Sequence, residues 1–428
     1  LDGYPVHFIF MLLLPKDDVA IIDRTATAGA PRVVANVPLG LAFFASTTSK
    51  VGDWLTRTFE TVFALPVEVR FTGNGMLFGS RIIQGAMASH LLDVRFNNDL
   101  MEYVKSCVAP DLLTGYKSLE ALMKTEDIWS NLGDTNPARA VWLDGTTLTC
   151  PDGYTNLNTR LPAALDDAHL NMARLINPNA AMTATPAALN GLLAAQIPAA
   201  ADVLMRVSTA NSFDFVRQAI MVNFWRDAPG SLAAAVENTS AAQLAIAQSQ
   251  AQASANSAYL TMAAVAEGAL PKIRNVVQII IIAIFPIVLI LVLMAGHKGG
   301  IVLKSYVMAM FWIELWPVLY AVTSYVAHLA AAPGVSSGLI GGLAGAATGP
   351  GLSLLNSINI EDTLLRDEAV AGMFSLLIPV MAYAILKGGE VAMSGLASQL
   401  MAPAAAAAAA INWLARPDNA TSPPLRMA

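Results

Sequence analysis

Side chains that could do chemistry are few and widely spaced in this sequence. The five histidines stand apart, with no HExxH pair and no zinc-type spacing with the two cysteines. GNGMLFG at 73–79 is rich in glycine, but it is not GxGxxG and it lacks the lysine of a phosphate-binding loop. The acid pairs Asp17/Asp18 and Asp166/Asp167 are typical of solvated helix starts. The sequence therefore predicts no catalytic residue, no cofactor site and no metal site.

Glu314 is the exception, because it lies inside the apolar stretch FWIELWPVLYAV. An ionised carboxylate at bilayer depth costs about 3 kcal/mol or more, so it must face helices, another subunit or water rather than lipid. Trp312 and Trp316 share the opposite helix face, and Pro317 is predicted to kink the helix and free the carbonyl of Ile313. Two roles stay open: a pore-lining or ion-linked residue, and a polar clamp that donates a hydrogen bond when protonated. Glu314→Gln is then expected to be tolerated, and Glu314→Leu to weaken assembly.

The composition indicates a membrane protein with a sizeable water-facing part. Of the 428 residues, 55% are hydrophobic and 13% are charged, against about 25% charged in a typical soluble protein. The mean hydropathy is +0.53. The formal net charge of −6 gives no basis for direct nucleic-acid readout, which usually needs clustered Lys and Arg.

Apolar segments of sufficient length predict about four transmembrane helices within a membrane region at 271–412. The first contains Pro286 as a predicted kink, and the fourth is rich in small residues that suit close helix packing. The apolar run within 1–14 is too short to span and is expected to be the end of an upstream span. The predicted spans are 276–294, 301–323, 369–386 and 391–411.

Loop charges predict the orientation of these spans. His297, Lys298 and Lys387 fall in short loops on one side, which the positive-inside rule makes cytoplasmic. Residues 16–270 and the loop at 332–368 are then expected on the periplasmic side of a bacterial inner membrane.

The two cysteines, Cys107 and Cys150, fall in this predicted periplasmic region. Two free buried thiols are one interpretation. A disulfide is favoured in an oxidising compartment. It would close a loop of roughly 44 residues, worth about 4 kcal/mol in the chain-entropy model.

The predicted fold class is mainly α, a polytopic membrane protein with a largely helical periplasmic domain at 15–230. Apolar spacing predicts an amphipathic helix at 40–63 and several short helices over 161–224, while 126–158 reads as a loop or short hairpin. The Ala/Gln/Ser-rich segment 231–270 is expected to be one long helix that packs on its own copies, with a linker as the alternative. Its candidate interface residues are Gln243 and Gln250.

Glycine is concentrated at 334–354, between the second and third spans. Gly341, Gly345 and Gly349 recur every four residues and are candidate sites of close helix approach or of pore lining. An ordinary flexible loop and a membrane-dipping hairpin both stay open. Residues 413–428 are expected to be a tail or a linker.

Five stretches, in order, resemble the N-terminal region of the TraG family, the mating-pair stabilisation proteins of F-type conjugation systems. They are NVPLGLAFFASTTSKVGDWL at 36–55, GNGMLFGSRI at 73–82, NNDLMEYVKSCV at 97–108, TCPDG at 149–153 and KSYVMAMFWIELWPVLYAV at 304–322. The resemblance implies an inner-membrane subunit of a type IV secretion system, acting in pilus assembly and mating-pair stabilisation. It implies partners among the other secretion and pilus-assembly proteins, and it brings no catalytic residue or cofactor.

Three functions compete on the sequence alone. A homo-oligomeric structural or conduit subunit, through which DNA or protein passes, agrees with the resemblance. An ion-coupled transporter or motor using Glu314 is the alternative, although no internal repeat is visible. A membrane-bound hydrolase is disfavoured because no nucleophile constellation is present.

Overall fold

The structure is a computed structural model that describes residues 15–21, 32–63, 65–207, 211–227, 269–340 and 351–387. Some of the sequence predictions fall outside these ranges and stay predictions. They are the span end at 1–14, the fourth span at 391–411, the tail at 413–428, nearly all of the segment 231–270, and the residues Gln243, Gln250, Gly341, Gly345 and Gly349.

Helices dominate the described part of the chain, and the predicted mainly α fold class is confirmed. Four strands form two hairpins: β1 Lys16–Ile21, β2 Arg32–Pro38, β3 Ala140–Leu143 and β4 Thr146–Thr149. The helices are α1 Leu39–Val62, α2 Phe78–Met87, α3 Val94–Tyr103, α4 Ala109–Leu113, α5 Leu119–Lys124, α6 Ile128–Leu132, α7 Cys150–Ile176, α8 Pro178–Ala181, α9 Pro186–Met205, α10 Ser212–Asp227, α11 Ala269–Ala283, α12 Phe285–Met294, α13 Gly299–Ile340 and α14 Leu354–Lys387.

Three described helices are long and apolar enough to cross a membrane, or four if the bent pair α11–α12 counts as one span. The pair is bent by 41° at Ile284, and Pro286 lies in the first turn of α12. A short 3-10 turn, Gly296–Lys298, joins α12 to α13. Pro317 lies inside α13, whose helical assignment is not interrupted there. The predicted spans at 276–294, 301–323 and 369–386 all fall on these helices.

The third candidate by length and composition is α9, for which the sequence predicted no span. Both ends and the middle of α9 carry fully buried apolar side chains that pack in the core of the helical body, among them Leu193, Ile197 and Leu204. Hydropathy does not separate a membrane helix from the central helix of a core, because both are apolar on most sides. Over 161–224 the helices α7, α9 and α10 are 27, 20 and 16 residues long, so the prediction of several short helices is wrong.

Two helices are much longer than a bilayer is thick. With 42 and 34 residues, α13 and α14 extend for about 63 and 51 Å, against about 30 Å for the hydrocarbon layer. The expected loop at 332–368 is therefore wrong at both ends, because α13 continues to Ile340 and α14 begins at Leu354. The part of α13 near Ala331 and the first half of α14, with Ile360 and Leu364, belong to the core of the helical body.

The helical body consists of α2 to α10 packed around one core, and local sequence features determine where some of its helices and strands begin and end. Thr149 caps α7 by accepting from the amide of Asp152, and Pro151 fills the first turn, where its missing N–H leaves no bond unmade. Asp144 and Gly145 take positive φ of 49° and 79° between β3 and β4, as a two-residue hairpin turn requires. The largest fully buried side chains of the body are Tyr103, Phe96, Phe215, Ile82, Ile83, Leu100, Leu122, Ile128, Leu132 and Leu143.

Candidate functional site

Glu314 lies at a contact between membrane helices, and its carboxylate is bound on both oxygens. Nη2 of Arg274 donates to Oε2 at 2.9 Å, and Nε2 of Gln278 donates to Oε1 at 2.8 Å. Arg274 and Gln278 are four residues apart on α11, which puts both donors on the same helix face. The side chain of Glu314 is 6% exposed and that of Arg274 19%. The arrangement clamps α11 to α13 through a charge-assisted pair with one further hydrogen bond.

The proline in α13 contributes a second acceptor to this contact. Because Pro317 has no amide hydrogen, the carbonyl of Ile313 cannot receive the usual i+4 hydrogen bond. Nε of Arg274 donates to this carbonyl over a long distance of 3.5 Å. The sequence suggested that a protonated Glu314 would use the freed carbonyl, whereas in the structure Arg274 contacts both groups.

Helix α1 closes the other side of the site. A β-carbon built on Gly52 would lie 3.0 Å from Cβ and Oε2 of Glu314 and 3.1 Å from its carbonyl oxygen. Thr48 and Thr56 are buried one turn before and after Gly52, and each hydroxyl donates to a carbonyl of its own helix. The spacing of small residues at i and i+4 permits close helix approach and is the sequence signal that was missed.

The apolar spacing predicted for 40–63 does not mark the buried side of α1. Phe43 and Trp54 are each 63% exposed and Phe59 is 39% exposed, whereas the small residues point inward. Glu60 is buried near the end of α1, where its carboxylate accepts from the amide of Thr72 at 2.8 Å.

The tryptophans opposite Glu314 contact α14. Trp316 is 2% exposed and packs edge-on against Trp312, with ring centroids 5.1 Å apart. Nε1 of Trp312 donates to the carbonyl of Pro379 at 2.9 Å. Helix α13 therefore presents its carboxylate to α11 and α1 and its tryptophans to α14.

The position of the ion pair along its two helices is found by counting residues from the turn at Gly296–Lys298. Arg274 lies 20 residues before Met294, and Glu314 lies 15 residues after Gly299. At 1.5 Å per residue these distances are about 30 and 23 Å along the helices. Glu314 therefore falls near the middle of the predicted span at 301–323, while Arg274 lies two residues before the predicted span at 276–294 and reaches Glu314 with its long side chain.

In the body, the structure joins Cys107 and Cys150 in a disulfide, with Cα atoms 5.8 Å apart. Both residues are fully buried, at the π-helical turn Val104–Val108 and at the start of α7. The segment between them holds α4, α5, α6 and the hairpin β3–β4, so 126–158 is only partly the predicted loop or hairpin.

Buried polar contacts fix the segment that the disulfide closes. The carboxylate of Asp111 is fully buried and accepts from Nε of Arg139 at 2.9 Å and from the amide of Asn136 at 2.8 Å. The hydroxyl of Tyr103 donates to the carbonyl of Leu132 at 2.9 Å, and burial raises the pKa of Tyr103 to about 12. These contacts explain the position of the segment without any ligand.

His169 is a fully buried histidine of the helical body, on α7. Its Nδ1 lies 3.2 Å from Oδ1 of Asn190, its Nε2 lies 3.4 Å from Oγ of Ser212, and its ring stacks on Phe213. Burial lowers the pKa of His169 below its ordinary value of 6.5. The three contacts are those of a packed and hydrogen-bonded core side chain.

Among the residues that the structure describes, no group of three or more His, Cys, Asp or Glu is placed to hold a metal ion. The sequence GVSSG at 334–338 has the spacing of a nucleophile elbow. It lies within α13, not at the turn from a strand to a helix that such an elbow requires.

Comparison with known proteins identifies the family. The model of the family described as "TraG-like protein, N-terminal region" matches residues 4–408. Protein TraG of Escherichia coli (strain K12) is 26% identical over 422 residues, which is 96% of this chain and 42% of that protein. The chain thus spans about two fifths of the length of this relative, and no solved structure matches it. With most of its length matched in one piece, the chain belongs to the TraG-like N-terminal family of conjugation proteins.

Proposed function

We propose that the chain is an inner-membrane structural subunit of a conjugative type IV secretion system, which acts with other secretion proteins in pilus assembly and mating-pair stabilisation. Membership of the TraG-like family supports the conjugation context, and the candidate membrane helices support the location. As a homo-oligomer the subunit would form a conduit for DNA or protein.

The observation that carries this proposal is the continuity of α13 and α14 from the membrane into the helical body. Polar contacts tie the body to these two helices along their length: Gln84 to Glu368 at 2.6 Å, Arg226 to Glu361 at 2.9 Å, and the amide of Leu77 to Ser324 at 3.2 Å. A body fixed in this way to two membrane helices suits a load-bearing anchor, because force on the body passes directly to the bilayer.

Two independent features suggest on which side of the membrane the helical body lies. The disulfide between Cys107 and Cys150 suits an oxidising compartment. The basic residues Lys298 and Lys387, with His297 beside Lys298, lie at the helix ends away from the body and suit the cytoplasm. Both features favour a periplasmic body for 65–227.

The second candidate function, an ion-coupled motor, depends on Glu314 exchanging a proton or an ion. Its carboxylate is already bound by Arg274 and Gln278, and Gly52 packs against its stem. A group held by an arginine of the same chain suits a clamp better than a carrier, because release would leave Arg274 without its partner at membrane depth.

The experiment compares Glu314→Gln, Arg274→Gln and the double variant for protein level in the membrane and for conjugative transfer. Each single variant is expected to lose about 3 kcal/mol of stability, because the partner charge stays largely buried. Protein level and transfer are therefore expected to fall together. The sequence alone predicts that Glu314→Gln is tolerated, whereas the contact with Arg274 predicts a loss, because a neutral amide leaves the arginine charge unmatched. The double variant, with no charge left over, is expected to recover part of the loss.

Lys272→Gln is the matched control, since Lys272 is an exposed cation two residues from Arg274 on the same helix. It is expected to leave level and transfer unchanged. If the double variant accumulates normally but transfers no better than Glu314→Gln, the structural function is wrong and the ion-coupled one is favoured.

Self-assembly is tested separately through the segment 231–270. Cysteines introduced as Gln243→Cys or Gln250→Cys are expected to crosslink between subunits in the membrane. A complete lack of crosslinks along this segment would contradict the proposed packing of the helix on its own copies.

A further inference from the structure

Helix α1 runs alongside α13 in the same direction, and three contacts fix this register. Near its start, Leu41 packs with Phe285 and Tyr306. In its middle, Gly52 abuts Glu314. Just past its end, the ring of Phe63 stacks on Tyr325, with centroids 4.2 Å apart and planes within 6°. The contacts on α13 therefore advance from 306 to 314 to 325 as those on α1 advance from 41 to 52 to 63.

The stretch of α13 that α1 covers has the length of a membrane crossing. From Tyr306 to Tyr325 is 19 residues, or about 29 Å along the helix, against about 30 Å for the hydrocarbon layer. It also overlaps most of the predicted span at 301–323. A helix packed along this whole stretch must share its depth in the membrane.

The residues of α1 suit that position, although its average hydropathy does not reveal it. The first eleven residues, 39–49, carry no charge. The charges follow in the second half, where Arg57 pairs with Asp53 at 3.1 Å and Glu60 is buried. Lys50, Trp54 and Arg57 lie on the outward face, and Arg57, toward the end of the stretch, has the long cationic stem that reaches a headgroup region.

The hairpin β1–β2 precedes α1 and must lie outside the hydrocarbon layer. The amide of Leu39 donates to the carbonyl of Pro15 at 2.8 Å, which closes the hairpin at the start of α1. Among the described residues its two strands pair only with each other, which leaves both edges open, and open sheet edges do not occur against lipid. Val37 packs against the same cluster as Val292 and Val302, which flank the turn at Gly296–Lys298. The chain therefore enters α1 from the side of that turn.

We infer that α1 crosses the membrane beside α13 and that the hairpin β1–β2 lies on the same side as the turn Gly296–Lys298, opposite the helical body. Residues 15–38 would then lie on the opposite side of the membrane from the helical body, although the sequence predicted one domain over 15–230. If that turn is cytoplasmic, the hairpin is a surface offered to the cytoplasm, and α1 connects it directly to the body. The inference concerns relative sides only, so it stands apart from the proposed function.

Single introduced cysteines test the inference in the full chain, with Cys107 and Cys150 left in their disulfide. The variants are Val33→Cys on β2, Lys298→Cys at the turn and Met182→Cys on the body, where Val33 and Met182 are 65% and 84% exposed. A membrane-impermeant maleimide is applied to intact spheroplasts and to inverted inner-membrane vesicles. Labelling after denaturation measures the total thiol in each sample.

Val33→Cys and Lys298→Cys are expected to react in the same preparation, and Met182→Cys in the other, each at several times the level seen in the opposite preparation. Reaction of Val33→Cys together with Met182→Cys would overturn the inference. Protection of Val33→Cys in both preparations would also overturn it, because a hairpin outside the membrane exposes this position to water.

Discussion

Replacing Gly52 by alanine inserts one methyl group between α1 and α13 at the ion-pair site. The new carbon would lie 3.0 Å from Cβ and Oε2 of Glu314 and 3.1 Å from its carbonyl oxygen. The side-chain atoms can rotate away, but only by disturbing the bond to Arg274, and the carbonyl oxygen belongs to the helix backbone. The two helices must therefore separate by several tenths of an ångström.

The magnitude follows from two opposing effects. Alanine in place of glycine inside a helix stabilises by about 0.5–1 kcal/mol, because the unfolded chain loses freedom. An extra methyl in a packed contact costs about 1–3 kcal/mol. The expected net effect of Gly52→Ala is a destabilisation of about 1 kcal/mol, and Gly52→Val is expected to cost more because valine adds volume without the helix preference of alanine.

Gly191 provides the matched control, since it lies within α9 and a β-carbon there would meet no atom within 4 Å. Gly191→Ala carries the same helix preference without the clash and is expected to stabilise by about 0.5–1 kcal/mol. The assay is the thermal unfolding of the purified chain in detergent, with both variants measured beside the parent. If Gly52→Ala raises the unfolding temperature as Gly191→Ala does, α1 does not pack against Glu314 at this distance and the described site is wrong.

Three further predictions concern the helical body. Reduction of the disulfide between Cys107 and Cys150 is expected to lower the unfolding free energy by about 2–5 kcal/mol, because a 43-residue separation is released in the unfolded chain; equal melting of the oxidised and reduced protein would contradict this. Asp111→Ala is expected to cost about 2–3 kcal/mol of stability because Arg139 loses its buried partner. Asp111→Asn should cost less, since its amide oxygen can still accept a hydrogen bond. Equal unfolding temperatures for the two variants would contradict this explanation. Burial lowers the pKa of His169, so as the pH falls the unfolded chain binds a proton at this residue before the folded chain does, and stability should fall below about pH 6.5. His169→Gln should flatten the dependence of stability on pH between about 7.5 and 5.5. An unchanged slope in this variant would refute the prediction.

The membrane segments and the helical class could be predicted because they depend on local sequence. An apolar run of about 20 residues predicts a span wherever it occurs, and the runs at 276–294, 301–323 and 369–386 all lie on helices in the structure. Family membership was equally visible in the ordered stretches that resemble TraG proteins, and the family match agrees with them. The need for a partner near Glu314 was also predictable, because a lone carboxylate in such a run must be compensated.

The identity of that partner depends on tertiary structure. Arg274 and Glu314 are 40 residues apart, on different helices, and only the packing of α11 on α13 brings them within 2.9 Å. Arg274 lies just before the predicted span at 276–294, and at such a position the sequence does not distinguish an ion-pair partner from an ordinary flanking cation.

Tertiary structure also determined which helix lies in the core of the body and which lies beside a membrane helix. By composition α9 could cross a membrane and α1 could not, yet α9 lies in the core of the body and α1 packs along a membrane helix. Hydropathy measures the tendency of a segment to leave water, and an apolar segment is removed from water equally well in a protein core and in lipid. Small residues such as Gly52 add little to a hydropathy sum, but they determine how closely two helices approach. The sequence by itself therefore determined the helices and the family, and the packing between helices determined the site.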